Sequence, residues 1–379
     1  MIYLDNAATS WPKPPAVVQA VSNAVAECFG NPGRTDHSSS FEATEIILGC
    51  REKLARLFRI SDPLRICFTS NTTSALNLAL KGLLKPGDHV ICTSLEHNSV
   101  WRPLMRLDQS GTEVSIVQAL PDGTMLPQDI AAQIRSNTRL IVSIHASNVN
   151  GAILPVGEIG TLAHAYGALF LVDAAQTAGS IPIDVEEMQC DLLAFPGHKG
   201  LLGPQGTGGL YIREGLTLSP LMEGGTGSDS SNPFQPEFEP DRYEAGTQNH
   251  PGIAGLSAGL SYLMTRCVKD VSEWEHVLTQ RLLEGLADIK SVTLYGPPLG
   301  RRRSAVVSFN IKGKDAARVA EELATEWDIA SRSGLHCAWL AHCTQGTAKI
   351  GTVRLSPGPF TGIGDVDQAV AAVRAIASH

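Results

Sequence analysis

The chain reads as an α/β protein built on a mixed, mostly parallel sheet, and three features of the sequence predict it. Short apolar runs alternate with amphipathic stretches, the pattern of strand–helix–strand units. The strand-like runs fall at residues 65–69, 89–93, 114–117, 139–144 and 168–172. Two more, at 191–195 and 208–212, follow without long intervening helices, so part of the sheet should depart from parallel pairing.

Taken in order, Ser39-Ser40-Phe41-Glu42 reads as a capping box opening a helix through about Phe58, because a serine three residues before a glutamate satisfies free backbone donors. A helix over residues 72–84 follows the first strand and stops at Lys85-Pro86-Gly87-Asp88. Residues 224–249 form a long polar stretch rich in Gly, Ser and Pro, and loops of that length are functional or disordered. Beyond it, residues 253–266 and 271–286 read as helices, and two strands with two helices complete a smaller C-terminal lobe. The expected division is a large domain over 16–251 and a small domain over 252–379 joined by the N-terminal segment 1–15.

Composition limits the function. The 379 residues are 43% hydrophobic and 18% charged, which suits a globular protein with ample core. A formal net charge of −8 disfavours nucleic acid or an anionic membrane surface as partner. No run reaches the roughly 18 apolar residues that span a bilayer, and Met1-Ile2-Tyr3-Leu4-Asp5 lacks the basic start of a signal peptide. A cytoplasmic protein is expected. Its eight cysteines are scattered, so reduced thiols are expected over a disulfide framework. Cys67 and Cys92 lie in apolar runs, where a thiol acts as a small hydrophobe.

The chemistry concentrates around Lys199, in Phe195-Pro196-Gly197-His198-Lys199-Gly200, downstream of Asp173 in Phe170-Leu171-Val172-Asp173-Ala174-Ala175-Gln176. Alone, either residue is commonplace. Together they are what pyridoxal phosphate requires: a lysine amine that joins the cofactor aldehyde and moves protons at the substrate's α-carbon, and an acid that keeps the pyridinium nitrogen protonated. Asn71-Thr72-Thr73, between a strand and a helix, suits a phosphate as well as ordinary capping. Gly203-Pro204-Gln205-Gly206-Thr207-Gly208-Gly209 lacks the Gly-Lys-Ser/Thr ending of a P-loop and reads as a turn passing near the cofactor.

Asp173-Ala174-Ala175-Gln176 followed by Gly197-His198-Lys199 resembles the class V aminotransferase family, and within it the cysteine desulfurase and selenocysteine lyase group. The resemblance runs from Tyr3-Leu4-Asp5-Asn6-Ala7-Ala8-Thr9 to Thr352-Val353-Arg354-Leu355. It implies the pyridoxal-phosphate-dependent fold type I, like aspartate aminotransferase. It also implies cofactor contacts from Asn71, Thr72, Thr73, His97, Asn148, Asp173, Gln176, His198 and Lys199, with His97 stacking on the ring and helping proton transfer. Thr247, in Glu244-Ala245-Gly246-Thr247-Gln248-Asn249, matches a threonine that reaches the partner subunit's phosphate, implying a homodimer with shared sites. Asn6, Ala7, Asn148 and Arg354 are the implied substrate contacts. A planar guanidinium suits a carboxylate. Pro196 departs from the family, where Ser or Thr commonly binds phosphate; proline offers neither hydroxyl nor N–H.

The reaction class comes from Arg332-Ser333-Gly334-Leu335-His336-Cys337-Ala338, which resembles the desulfurase segment Arg-x-Gly-x-x-Cys. The resemblance implies that Cys337 takes sulfur from L-cysteine, leaving L-alanine and a persulfide that a sulfur-acceptor protein would then collect. Selenocysteine lyase or another cysteine-derivative β-lyase remains open, since sulfur and selenium are too alike for sequence to separate. A plain aminotransferase has no use for Cys337, and a non-catalytic regulatory protein has no use for Lys199 and Asp173. The doublets His336-Cys337 and His342-Cys343 lack the spacing of structural zinc pairs, so no metal is expected. Cys343 is a bystander or a second sulfur carrier.

Overall fold

The computed structural model describes residues 1–28, 30 and 38–378, with the side chains of Ser38 and Ser39 left aside. The capping reading of Ser39 therefore lies outside the described residues. In chain order the elements are β1 (Ile2–Tyr3), α1 (Pro15–Ala26), α2 (Ser38–Phe58), β2 (Ile66–Thr69), α3 (Thr72–Leu83), β3 (His89–Thr93), α4 (Asn98–Asp108), β4 (Glu113–Val117), α5 (Pro127–Ala131), β5 (Thr138–Ile144), α6 (Val156–Ala165), β6 (Leu169–Asp173), β7 (Leu192–Pro196) and β8 (Gly208–Ile212). They continue with α7 (His250–Arg266), α8 (Val268–Ala287), β9 (Val292–Tyr295), β10 (Val307–Ile311), α9 (Ala316–Trp327), β11 (Ile329–Ala330), β12 (Arg332–Gly334), α10 (Trp339–Gln345), β13 (Thr352–Leu355) and α11 (Ile363–Ile376).

Seven strands form the large sheet in the order β2-β8-β7-β6-β5-β3-β4. Only β8 runs against its neighbours, pairing antiparallel with both β2 and β7. The mixed character was therefore legible in the missing helix between β7 and β8. Period-two alternation sends successive side chains to opposite faces. Ile91, Ile141, Phe170 and Val172 enter the core on one side. Val90, Cys92, Leu140, Val142 and Leu171 enter the core on the other. Covered on both faces, these strands read as apolar runs, as buried parallel strands do.

The C-terminal part is richer in strands than expected. A four-stranded antiparallel sheet, β12-β13-β10-β9, packs with α8, α9 and α11 around Leu282, Phe309, Leu323, Leu355 and Val373. The two-stranded pair β1–β11 ties the first residues of the chain to it, and Leu4 lies in the same core. The two-strand, two-helix expectation fails because β11 and β12 span two and three residues, too short to carry a pattern.

The turn at residues 147–151 joins the two sheets. Its carbonyls are taken one after another by donors of the small sheet and its approach. Arg354 Nη1 donates to Asn148 O at 3.0 Å, and Ser308 Oγ donates to Val149 O. Arg303 Nη1 donates to Asn150 O at 3.4 Å, and Ser304 N donates to Gly151 O at 2.9 Å. Gly151 has φ +75°, and a Cβ there would stand 2.8 Å from Val306 O, so the turn closes only with glycine.

Candidate active site

Five strand ends aim at one place. The residues after β2, β3, β5 and β7 and the last residue of β6 gather at the carboxyl edge of the parallel strands, where open α/β sheets build their sites. They line a cavity of about 230 Å³ together with residues of the small sheet. Asn71, Thr72, Thr73, His97, Asn148, Asp173, Gln176, His198, Lys199, Cys337, Arg354 and Ala7 all line it. Pro196 does too.

Two expected residues lie elsewhere. Asn6 borders a separate small chamber behind Lys199, and its side chain is spent locally. Its amide donates to Ser356 O at 3.0 Å, and its oxygen accepts from Trp11 N. Thr247 borders a neighbouring cavity with Thr69, Ser70 and Gly206–Gly208, not the one holding Lys199. Gly206, Thr207 and Gly208 of the glycine-rich turn border that neighbouring cavity. Gly208 packs on the Asn71 backbone, where a Cβ would meet carbon atoms at 3.0 Å.

Lys199 faces the cavity, and its amine makes no hydrogen bond among the described residues. Burial pushes the amine down to about 8, Arg354 and Arg332 push the same way, and Asp173 pulls back up. A sizeable neutral fraction is thus present near pH 7 to 8, as a nucleophilic amine needs. The loop is fixed from behind by the N-terminal segment. Ser10 Oγ donates to Lys199 O at 2.8 Å, and Lys13 Nζ donates to His198 O at 2.8 Å. The His198 ring contacts Thr9 Oγ1 at 3.1 Å, and burial holds its pKa down near 4.

Asp173 is 1% exposed, and one oxygen accepts from Ala175 N at 2.9 Å. Burial raises its carboxyl to about 6, against the pull of the Ala175 N–H and Lys199. It stays mainly ionised at neutral pH. His97 caps α4, and its Nδ1 accepts from Ser99 N at 3.0 Å, which places the ring proton on Nε2. Burial, with Lys199 next, lowers its pKa to about 4, so the ring is neutral. Ser99 Oγ also meets Thr73 Oγ1 at 2.7 Å, linking the starts of α3 and α4.

At the start of α3, Asn71 Oδ1 accepts from Ser74 N and Asn71 O accepts from Ala75 N. The amides of Thr72 and Thr73 find no partner among the described residues, as the first turn of a helix dictates. Both residues line the cavity, and unpaired amides at a helix start suit an anion. Asn148 gives its Nδ2 to His336 O at 2.7 Å, while its buried Oδ1 has no partner among the described residues. Arg354, 1% exposed, is braced by Asp5 Oδ1 at 2.8 Å and by Asn148 O, and its buried Nε is unpaired among the described residues.

Cys337 is exposed, lines the cavity and has φ +59°, with His336 before it at φ +48°. Arg332 Nη2 lies 3.9 Å from Cys337 Sγ. Sequence reasoning named Arg332 only as part of a motif and missed Ser99 and Asp5. The arginine spacing was a usable signal, whereas nothing local marks Ser99 or Asp5.

These features fit pyridoxal phosphate: unpaired helix-start amides for a phosphate, an orphaned Asn148 oxygen for a ring substituent, a buried acid for a ring nitrogen, and a lysine with a depressed pKa for the aldehyde. Pro196 is the one wall residue that withholds a donor expected there.

A lysine and a buried strand-end acid facing one cavity are the arrangement that pyridoxal enzymes use. Comparison with known proteins carries this one step further. The model of the aminotransferase class-V family matches residues 2–369, so the chain belongs to that family, whose members depend on pyridoxal phosphate. It is 38% identical over 342 residues to a probable cysteine desulfurase of Methanothermobacter thermautotrophicus, covering 89% of this chain and 84% of that one. It is 34% identical over 349 residues to a cysteine desulfurase of Escherichia coli, with the same coverage. Among solved structures, the apo cysteine desulfurase of Thermococcus onnurineus superposes with a TM-score of 0.93 at 34% identity, covering 100% of this chain and 94% of that one. The S-sulfonic acid form of the cysteine desulfurase CsdA from Escherichia coli gives 0.88 at 31%, covering 98% and 93%. The fold is the type I architecture of pyridoxal enzymes.

Proposed function

We propose that this protein is a cysteine desulfurase that moves sulfur from L-cysteine onto Cys337 and releases L-alanine. The observation that carries the reading is an exposed cysteine sharing one cavity with Lys199 and Arg354. A transaminase needs the last two and not the first.

Bound pyridoxal phosphate supplies the electron sink that loosens bonds around an amino acid's α-carbon. Thr72 and Thr73 amides would hold its phosphate, Asp173 its ring nitrogen, and Asn148 and Gln176 its ring edge, with neutral His97 covering the ring. Arg354, oriented by Asp5, holds the substrate carboxylate with the free edge of its fork. Lys199 takes up and returns the proton at the α-carbon. The Cys337 thiolate attacks the substrate sulfur. An S–S bond forms as the C–S bond breaks, the bonding pair stays with the carbon skeleton, and a proton completes alanine. Arg332 Nη2 stands 3.9 Å from the Cys337 sulfur.

The finer assignments follow the same reading. Thr247 would serve the site of a second subunit in a homodimer, and a sulfur-acceptor protein would collect the persulfide from exposed Cys337. The domains divide at about residue 251. The scattered spacing of the eight cysteines supports a reducing, cytoplasmic setting. Among the described residues no helix is long and apolar enough to cross a membrane.

The test is to incubate the holoenzyme with L-cysteine, L-selenocysteine and cysteine sulfinate and to measure alanine from each. Alanine from L-cysteine with one added sulfur on the Cys337 peptide is expected. Alanine from L-selenocysteine alone would move the assignment to the lyase.

A further inference from the structure

The segment carrying Cys337 is held at two consecutive carbonyls, by the turn after β5 and by the start of α4. Asn148 Nδ2 donates to His336 O at 2.7 Å. Asn98 N, the first amide of α4, donates to Cys337 O at 2.8 Å. His336 and Cys337 both sit in the left-handed region, which side-chain-bearing residues rarely adopt and which persists only where surroundings impose it. The His336 ring is buried and meets Thr352 Oγ1 at 3.0 Å, so the segment has a fixed root in β13. Cys337 itself is exposed and does not depend on packing for its place.

We propose that Asn98 and Asn148 are positioning residues for the sulfur-accepting thiol: their two hydrogen bonds hold the His336–Cys337 backbone so that Sγ faces the cavity. The proposal rests on the reading of Cys337 as the sulfur acceptor. Asn148 has a second part in it. Its orphaned Oδ1 stands in the cavity wall while its Nδ2 grips the thiol segment, and its carbonyl braces Arg354. One residue therefore registers the carboxylate-binding group against the thiol. The Asn98 contact comes from a free helix-start amide, which would otherwise want a side-chain cap or an anion.

The Asn98 bond can be deleted almost alone. Asn98 is the first residue of α4, where proline is well tolerated. His97 before it is extended at φ −67° and ψ 155°, as a residue preceding proline prefers. Asn98→Pro removes the N–H, and Asn98→Ala removes the same side chain while keeping it. Asn98 does not line the cavity.

Relative to Asn98→Ala, Asn98→Pro should form alanine from L-cysteine roughly tenfold more slowly, the scale of one hydrogen bond. The visible absorption of the bound cofactor should match in both. In the cofactor-free proteins, iodoacetamide should label the Cys337 peptide roughly threefold faster or more in Asn98→Pro, because local opening becomes easier. Equal alkylation and equal turnover in the two variants would overturn the proposal. If Asn98→Pro does not fold by its melting curve, Asn148→Asp replaces it, setting a carboxylate oxygen against His336 O. Faster Cys337 alkylation there supports the clamp, and an unchanged rate overturns it. If wild-type protein makes no alanine from L-cysteine, the functional reading fails, while the alkylation comparison still decides the clamp.

Discussion

Replacing Arg354 by lysine tests the division of labour within a single guanidinium. Arg354 spends Nη1 on Asn148 O and Nη2 on Asp5, and its buried Nε has no partner among the described residues; on the proposed reading its remaining hydrogens take the substrate carboxylate. A lysine ammonium keeps the charge but is a single point, so it cannot satisfy Asp5 and a substrate carboxylate with the same geometry. The loss is one charge-assisted hydrogen bond in the substrate complex, about 1.5–3 kcal/mol, or roughly 10- to 150-fold in kcat/KM. Alanine formation measured against L-cysteine concentration gives that ratio, with the cofactor's visible absorption checking that the site is loaded. The fall should be the same for L-selenocysteine, because the arginine reads the carboxylate and not the chalcogen. An Arg354→Lys enzyme within twofold of wild type, or one impaired on only one of the two substrates, would refute the role.

Three further outcomes are expected. Cys337→Ala should keep its cofactor absorption yet make little alanine from L-cysteine, and wild-type rates in that variant would remove the desulfurase reading. Mixing Lys199→Ala chains with Thr247→Ala chains should restore activity, since one site of the mixed dimer carries both defects and the other neither; no recovery after verified subunit exchange would count against sharing. Buried Glu96 accepts from Thr93 Oγ1 and Ile144 N, and burial raises its carboxyl to about 8, so it folds protonated at neutral pH. Its folded pKa exceeds its unfolded one, so its contribution is present at low pH and is lost as pH rises through about 8. Glu96→Gln keeps the accepting oxygen and should match wild type in denaturant near pH 5, then gain on it toward pH 8. A constant difference across that range would show that Glu96 does not titrate on unfolding.

The large sheet and most of the cavity wall were readable because each relied on local signals. Apolar runs ending in polar residues gave the strands, and the polar residues at those ends proved to be the wall. Glycines around Lys199 marked a loop whose backbone must pass close to its neighbours: a Cβ on Gly197 would collide with Thr207 Oγ1. What escaped depended on distant pairing. Asp5 and Arg354 meet across nearly the whole chain, and Asn6 faces away because its amide is claimed by Ser356 O. The hold on Cys337 was invisible for another reason. Its donor at Asn98 is a main-chain amide, which every residue but proline possesses, so residue identity carries no trace of it.

The row of carbonyls from Asn148 to Gly151, each taken by a donor of the small sheet or its approach, has a consequence for how this architecture can be varied. A main-chain acceptor cannot be substituted away, so the alignment of the two sheets is written in spacing and not in residue type. Arg303 and Ser304 are adjacent in sequence and serve adjacent carbonyls, as a vernier does. Lengthening residues 297–302 by one position leaves that match intact only if the extra residue bulges outward. An insertion between Ser304 and Ser308 would slide the row out of step and carry Arg354 with it. Chimeras that exchange the small sheet between relatives should therefore succeed or fail on the length of this short segment before the identity of any catalytic residue matters.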